Sequence, residues 1–139
     1  MSNLVVHFEI HASDPQVLID FYSNLLGWTF TRFGDQDYWS INTGEESMQV
    51  GAPGHGINGG LTRRRGPRPE AGAPVCGADL VIAVDDVDAT FSKSIDLGAS
   101  ESLAPTDMPG VGRLAYLLDP DGNVFGFLSP VMSDGTRAM

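Results

Sequence analysis

Two segments of the chain resemble each other, and this internal repeat restricts the fold more than any other feature of the sequence. The first is SDPQVLIDFYSNLLG, residues 13–27, and the second is DDVDATFSKSIDLG, residues 85–98. Both begin with an aspartate suited to a helix start, carry a central phenylalanine and end on glycine, which commonly terminates helices. A strand-like run precedes each segment, and further strand-like runs follow it. The sequence therefore predicts that a strand, a helix and more strands occur twice.

The remaining strand-like runs complete each repeat. In the first repeat, WTFTRF and DYWSINT are separated by the turn residues Gly34 and Asp35, and the last strand is either SMQVG or INGGLT. In the second repeat, RLAYLLDPDGNVFGFL predicts two strands joined by a DPDG turn. Residues 62–76, TRRRGPRPEAGAPVC, lack apolar periodicity and indicate a linker.

The repeat predicts one domain over residues 1–139, with module one at about 4–62, a linker at about 63–76, module two at about 77–130 and a flexible tail at 131–139. The fold class is α+β, with two tandem βαβββ modules forming a cup-shaped, partly open mixed β-sheet with helices on the outer face. Each helix covers one face of its half-sheet and leaves the other face bare. We expect the bare faces to enclose a ligand pocket, called the cup below.

The stretch VVHFEIHASDP, which leads into the first helix, places ionisable groups on one strand face. His7, Glu9 and His11 alternate with two apolar residues, and successive side chains of a strand point to opposite faces. Overlaying the two repeats places His7 opposite Asp79. We therefore expect these three residues and Asp79 to face the cup.

Charge and cysteine content restrict the partners. Eighteen acidic and eight basic residues give a formal charge of −10, which disfavours nucleic acids and anionic membranes as partners. The single cysteine, Cys76, cannot form an internal disulfide or a cysteine-based zinc site. No apolar run reaches the ~18 residues of a membrane span, and the first residues lack the pattern of a secretion signal. We expect a cytoplasmic protein with a small-molecule ligand, no nucleic-acid partner and no membrane partner.

Four pieces of the chain, in this order, resemble the vicinal oxygen chelate superfamily. They are HFEIHASDPQVLIDFYSNLLGW, the INGGL segment, IAVDDVDATFSKSIDLGA and TDMPGVGRLAYLLDPDGNVFGF. This superfamily includes glyoxalase I, extradiol dioxygenases, methylmalonyl-CoA epimerase, fosfomycin resistance enzymes and bleomycin resistance proteins. The resemblance covers nearly the whole chain and implies the same duplicated fold, without selecting one activity.

The resemblance also implies that a metal site would take its ligands from the first and last strands of each half. His7 fits the first position, and Asp79 occupies the place of a second histidine; a carboxylate also binds divalent cations. The second half carries Gly126 in place of the family's glutamate, and the first half offers either Gln49 or Gly60. A catalytic site normally uses about three protein ligands. We predict no dedicated metal and no cofactor, with His7 and Asp79 as ligands if a divalent metal binds.

Glu9 is the predicted catalytic residue, because desolvation in a cavity favours its neutral form and suits a general base. Its alternative roles are a salt bridge or a charge at the cup rim, and Glu9 or His11 could also replace a missing metal ligand. Tyr38, Trp39 and Tyr116 lie on predicted cup strands, and we choose Trp39 as the pocket wall. The predicted substrate-binding residues are His7, Glu9, Trp39 and Asp79.

Three further features have plain structural interpretations. His55 lies among glycines, where mobility is the default explanation and a lid histidine the alternative. The basic run Arg63 to Arg65 suits linker solubility or subunit salt bridges better than anion binding. Cys76 has no neighbouring group in the sequence that would activate it as a nucleophile.

Three function classes follow. The first is a metal-independent protein that binds a small organic molecule. One form of this hypothesis takes the molecule to be cationic. The second is a divalent-metal-dependent lyase, isomerase or dioxygenase acting on a small oxygenated substrate. The third is an interaction module without an open pocket. We also expect a homodimer, because exposed edge strands favour association, with each cup built either within one chain or between two.

Overall fold

The structure is a computed structural model of the 139-residue chain, and it describes residues 7–45, 56–70 and 79–137. The chain divides into two compact units, Met1–Arg68 and Pro69–Met139. Gln49, His55 and Cys76, which the sequence analysis considered, lie outside the described residues. Among the residues described, no helix is long and apolar enough to cross a membrane.

The first unit contains one helix and a four-stranded mixed sheet. Its elements are β1 (Phe8–Ala12), α1 (Pro15–Leu26), β2 (Thr29–Arg32), β3 (Tyr38–Asn42) and β4 (Gly59–Arg63). The strand order is β1-β4-β3-β2, in which β1 and β4 are parallel and the other neighbours are antiparallel. The last strand of the unit therefore lies inside the sheet, between the first and the third.

Helix α1 covers one face of this sheet. Proline at the first helical position has no N–H to lose, and Gly27 ends the helix in the left-handed region at φ 74°. The Asp14 side chain, which the sequence predicts as a helix cap, makes no capping hydrogen bond; the Asp14 carbonyl accepts from the Val17 N–H instead. Apolar residues recur at helical spacing and bury one side of α1 against the sheet. They are Leu18, Phe21, Tyr22 and Leu25, facing Ile10 and Leu61.

The second unit repeats this plan. Its elements are β5 (Asp79–Ala83), α2 (Val87–Asp96), β6 (Ser100–Met108), β7 (Gly112–Leu118) and β8 (Val124–Ser129), with strand order β5-β8-β7-β6. Here the helix cap forms, because Asp86 accepts a hydrogen bond from the Ala89 N–H at 3.0 Å. In the DPDG turn, Asp119 Oδ1 accepts hydrogen bonds from the N–H groups of Asp121 and Asn123.

The predicted fold class is confirmed: the protein is α+β, with two tandem βαβββ modules and two open, mixed four-stranded sheets. Of the two alternatives for the last strand of the first module, the INGGL segment contributes β4, whereas SMQVG lies outside the described residues. Strand β6 was not individually assigned from the sequence. It contains Pro105 and register shifts between Glu101 and Thr106, which break the alternating pattern.

Candidate functional site

The face of the first sheet opposite α1 is polar. Along β1, His7, Glu9 and His11 are exposed, whereas Ile10 and Ala12 are fully buried on the helix side. Residues paired across neighbouring strands share a face, so the same side continues through β4, β3 and β2. We call it the open face of the first unit. Its residues on the four strands and just before β1 are His7, Glu9, His11, Thr29, Thr31, Tyr38, Ser40, Asn42, Gly60 and Thr62.

Three side chains form a hydrogen-bonded triangle on the open face. The Tyr38 hydroxyl donates to Glu9 Oε2 at 3.1 Å, and His7 Nε2 lies 3.2 Å from the same carboxylate oxygen. His7 Nε2 is also 3.3 Å from the Tyr38 hydroxyl oxygen. The structure thus brings two of the predicted site residues together and adds Tyr38 from a strand that is not a neighbour of β1.

Two consecutive glycines in β4 make this triangle possible. A Cβ atom at Gly60 would lie 1.9 Å from the Tyr38 hydroxyl oxygen and 2.5 Å from Glu9 Oε2. Tyr38 therefore crosses over bare backbone to reach Glu9 on the far side of β4. On the helix side, a Cβ atom at Gly59 would lie 2.7 Å from the Phe8 ring. Aromatic rings thus cover β4 on both faces of the sheet.

The environment of Tyr38 resists ionisation. Partial burial raises the pKa of the Tyr38 phenol, and the hydrogen bond to Glu9 and the negative charge of that carboxylate raise the pKa further. The hydroxyl therefore stays a hydrogen-bond donor at neutral pH. It can hold the Glu9 carboxylate in place or donate to a ligand oxygen.

Trp39 lies on the opposite face of β3 from Tyr38. It is paired with Leu61 and Arg32, in the row that begins with the buried Ile10. The Arg32 guanidinium carbon lies 5.0 Å from the centre of the Trp39 ring, which suits a cation–π contact. Among the described residues of the first unit, the aromatic side chain in contact with His7 and Glu9 is that of Tyr38.

A cleft of about 510 Å³ opens beside the triangle. Its lining combines polar side chains with apolar surface, to which the ring of Phe33 contributes; this ring is 57% exposed and lies 5.8 Å from the Tyr38 ring. Its lining includes His7, Phe33, Tyr38, Ser40, Asn42 and Asn58. Of these six, His7 alone was predicted from the sequence as a binding residue. The alternation of Tyr38, Ser40 and Asn42 with Trp39 and Ile41 along β3 was a signal that could have found three of them.

The open face of the second unit is apolar. Val81, Gly126, Tyr116 and Leu103 are paired in one row across the four strands, with Val81 51% exposed and Leu103 40% exposed. A Cβ atom at Gly126 would lie 2.6 Å from the Tyr116 ring, so a tyrosine again lies against a glycine. Asp79 begins β5 and is paired with Val124.

Two of the ligand positions implied by the resemblance offer no group that could bind a divalent metal. Gly60 and Gly126 have no side chain, and tyrosine atoms occupy the space that a side chain at either position would need. Glutamate at Gly60 would collide with Tyr38 unless that ring moved. Within residues 7–45, 56–70 and 79–137, no group of three or more His, Cys, Asp or Glu side chains could hold a metal ion.

Comparison with known proteins identifies relatives over most of the chain. The sequence profile of the Glyoxalase/Bleomycin resistance protein/Dioxygenase superfamily matches residues 4–127. The anthracycline biosynthesis protein DnrV of Streptomyces peucetius is 29% identical over 133 residues, which are 94% of this chain and 48% of that protein. The putative glyoxylase CFP32 of Mycobacterium bovis is 30% identical over 125 residues, or 88% and 42% of the two chains. The chain therefore spans about half the length of the curated relatives it matches.

Solved structures share the fold. TioX from Micromonospora sp. ML1 has a TM-score of 0.62 at 21% identity, covering 90% of this chain and 97% of that one. A member of the glyoxalase/bleomycin resistance protein/dioxygenase superfamily from Sphaerobacter thermophilus has a TM-score of 0.63 at 22% identity, covering 92% and 98%. At these identities the likeness shows the architecture and not the ligand.

Proposed function

Because the chain belongs to the glyoxalase/bleomycin resistance protein/dioxygenase superfamily, we propose that it binds a small organic molecule on the open face of the first unit, without a dedicated catalytic metal. The observation that carries this proposal is the triangle of His7, Glu9 and Tyr38, formed over Gly60 beside the cleft. It supplies a carboxylate, a phenol and an imidazole to one exposed surface, where converging polar groups can orient a ligand.

The glycines support the metal-independent part of the proposal. Gly60 in β4 and Gly126 in β8 supply no carboxylate at two of the implied ligand positions, and the tyrosines beside them leave no room for one. Binding would therefore use hydrogen bonds and ring contacts. Asp79 and Trp39 remain predicted binding residues; for Trp39, the position on the helix side of its strand makes a direct ligand contact through this cleft difficult.

The names of the relatives agree with a small organic ligand. One takes part in anthracycline biosynthesis, and another is a putative glyoxylase. Both are about twice the length of the matched region. We propose that the ligand of this chain is likewise a small organic molecule.

Ligand screening tests the proposal. Thermal unfolding would be followed with neutral, anionic and cationic metabolites and drugs, in buffer treated to remove metal ions. We expect at least one compound class to raise the unfolding temperature, and amide NMR to place its contacts at Tyr38 and Ser40. The variant Glu9→Gln should weaken the effect, whereas Glu101→Gln, which changes an exposed glutamate of β6, should not. No stabilisation by any class would contradict the proposal.

A metal-dependent lyase, isomerase or dioxygenase is the second candidate. The observation in its favour is that His7 Nε2 and Glu9 Oε2, two possible metal donors, lie 3.2 Å apart on an exposed face. Metal analysis of protein purified without chelator decides between the two. Stoichiometric zinc, nickel, iron or manganese, lost in the His7→Gln variant, would favour this candidate and contradict the metal-independent one.

A further inference from the structure

Within its described strands, the open face of the first unit carries one carboxylate and no lysine or arginine. The carboxylate is that of Glu9, and the other ionisable side chains of this face are those of His7, His11 and Tyr38. The strand arginines Arg32 and Arg63 lie on the helix side. Both form ion pairs there with Asp37, at 3.3 and 2.9 Å.

The Glu9 carboxylate is held by a tyrosine and a histidine. Its Oε2 atom accepts from the Tyr38 hydroxyl, and His7 Nε2 lies 3.2 Å from the same oxygen. Arg64, just beyond β4, donates to the main-chain oxygen of His11 at 3.1 Å. The two contacts fix the position of the carboxylate, and within the part of the chain that the structure describes no lysine or arginine bonds to it, so a cation brought to it gains a charge-assisted hydrogen bond.

Aromatic rings stand where the apolar part of such a cation would lie. Phe33 is 57% exposed, the highest value among the large apolar side chains of the described residues, and it meets the Tyr38 ring edge to face at an interplanar angle of 70°. Ring faces attract cations, and they also pack against flat organic groups. The cleft of about 510 Å³ beside them lies in the size range of small-ligand sites.

These observations deepen the proposed function and rest on it. We infer that the bound molecule is an organic amine, whose protonated nitrogen lies at Glu9 and whose aromatic or apolar body lies against Phe33 and Tyr38. Tyr38 is then a positioning residue for the carboxylate as well as a wall of the cleft. Gly60 lies at a position where the family resemblance implies a metal ligand. In the amine site its role is to leave the space through which Tyr38 reaches Glu9.

A matched pair of probes tests this inference. Naphthylmethylamine and naphthalenemethanol have nearly the same shape, and they differ in carrying an ammonium or a hydroxyl group. Amide NMR titrations would measure both dissociation constants for the unaltered chain, Glu9→Gln and Glu101→Gln. We expect the amine to bind about ten-fold more tightly than the alcohol, from one charge-assisted hydrogen bond.

The variants separate the contributions. In Glu9→Gln the advantage of the amine should disappear while the alcohol binds as before, and in Glu101→Gln the advantage should remain. Added salt should weaken the amine alone, because it screens charge. Phe33→Leu, which keeps an apolar side chain but removes the ring, should weaken both probes.

Two results would overturn the inference in different ways. If the alcohol, or an anionic analogue such as naphthylacetate, binds the open face as tightly as the amine, the amine class is wrong and the proposed function stands. If neither probe shifts the resonances of Phe33, Tyr38 or Ser40, the inference is wrong. The metabolite screen then decides separately whether the proposed function also fails.

Discussion

At the scale of single residues, the missing side chain at Gly60 decides what the open face presents. The Tyr38 hydroxyl and Glu9 Oε2 both lie closer than 3.0 Å to the point where a Cβ atom of residue 60 would be. Any other residue at position 60 would push apart the two groups that form the triangle. Glycine at position 60 offers no side chain to a metal ion, and it leaves the space in which the Tyr38 hydroxyl bonds to Glu9.

The first prediction concerns Gly60→Ala. Replacing glycine in a strand interior by alanine should in general stabilise, by about 0.5–1 kcal/mol, through the unfolded state. Here the methyl group would meet the Tyr38 ring end, and overpacking costs about 1–3 kcal/mol, so we expect net destabilisation. Urea unfolding measures the change.

Two controls make this prediction specific. Gly66→Ala adds a methyl group where nothing lies within 4 Å, so its free energy of unfolding should be unchanged or slightly higher. In a Tyr38→Ala background, Gly60→Ala should cost much less. An equal cost with and without Tyr38 would show that the ring does not oppose the methyl group.

The second prediction concerns the alkaline range. Because the pKa of Tyr38 is raised in the folded protein, the folded state keeps its phenol proton when the unfolded chain has lost it. This contribution to stability is therefore present below the ordinary phenol pKa of ~10 and decreases as the pH rises above it. Ultraviolet titration should show a late-titrating phenol that is lost in Tyr38→Phe and shifts to lower pH in Glu9→Gln. A late part of the titration curve that is unchanged in both variants would contradict this.

Sequence alternation predicted the ionisable face of β1 but not the choice between Tyr38 and Trp39. Neighbouring strand residues point to opposite faces, so one of the two had to face the cleft. The register in which β3 pairs with β4 places Tyr38 on the cleft side. That pairing depends on which segment forms β4. A hydrogen bond across an intervening strand leaves no periodic signal in a single sequence.

At the scale of elements, one arginine connects three parts of the second unit. Arg113 of β7 binds both carboxylate oxygens of Asp88 in the first turn of α2, at 2.6 and 2.8 Å. It also binds Asp107 of β6 at 3.1 Å, and the Asp107 carboxylate accepts from Ser133 in the tail. The Arg113 side chain is 18% exposed, so these ion pairs are better shielded than ordinary surface pairs.

The third prediction concerns Arg113→Gln. Loss of the bidentate contact with Asp88 should lower the free energy of unfolding by about 1 kcal/mol. The effect is no larger because the Asp88 side chain is exposed and solvated. Arg65→Gln is the matched control, since Arg65 is exposed and makes no ion pair within the described residues. A change no larger than that of the control would contradict the prediction.

The acid dependence of this variant follows from two carboxylates. The hydrogen bond from Arg113 lowers the pKa of Asp88, and the hydrogen bonds from Ser133 and then Arg113 lower the pKa of Asp107. Their stabilisation is present above the ordinary aspartate pKa of ~3.9 and is lost as the pH falls through the lower folded values. The difference between the unaltered chain and Arg113→Gln should shrink below about pH 4 in urea unfolding series. A difference that persists at the lowest pH would assign the effect to packing.

Both helices and most strands could be predicted from sequence because their apolar residues keep a regular period. The two failures have physical causes. In β4, Gly59 and Gly60 lack the branched side chains that favour strands, since aromatic rings of other strands need their space. In β6, Pro105 and the register shifts break the alternation. The sequence could not show which ionisable groups are in contact, for the same reason. Contacts across a sheet depend on the strand register, and the register depends on those irregular strands.

At the scale of the whole molecule, the two repeats present different chemistry on equivalent faces. The open face of the first unit is polar and includes Glu9, whereas that of the second exposes Val81 and Leu103. Two copies of one module have thus kept their strand order while their uncovered faces diverged.

The fourth prediction is that the chain forms a homodimer. Each four-stranded sheet ends in edge strands, β1 and β2 in one unit and β5 and β6 in the other, and edge strands favour association. The exposed apolar residues of the second open face add surface whose burial is favourable. Light scattering at micromolar concentration should give the mass of two chains. The mass of one chain, unchanged by concentration or dilution, would show that the prediction is wrong.

The strand order also has a consequence for synthesis. In each sheet the strand made last, β4 or β8, is the one that lies between its neighbours, so β1 and β5 have no partner within their sheet until it emerges. A ribosome-bound chain that stops before residue 59 holds a hairpin, a helix and an unpaired first strand, and cannot close its first sheet. Such unpaired strands are open to wrong partners. Neither half of this protein can therefore complete its sheet before its own last strand has left the ribosome, and the first half can close only once Arg63 has emerged.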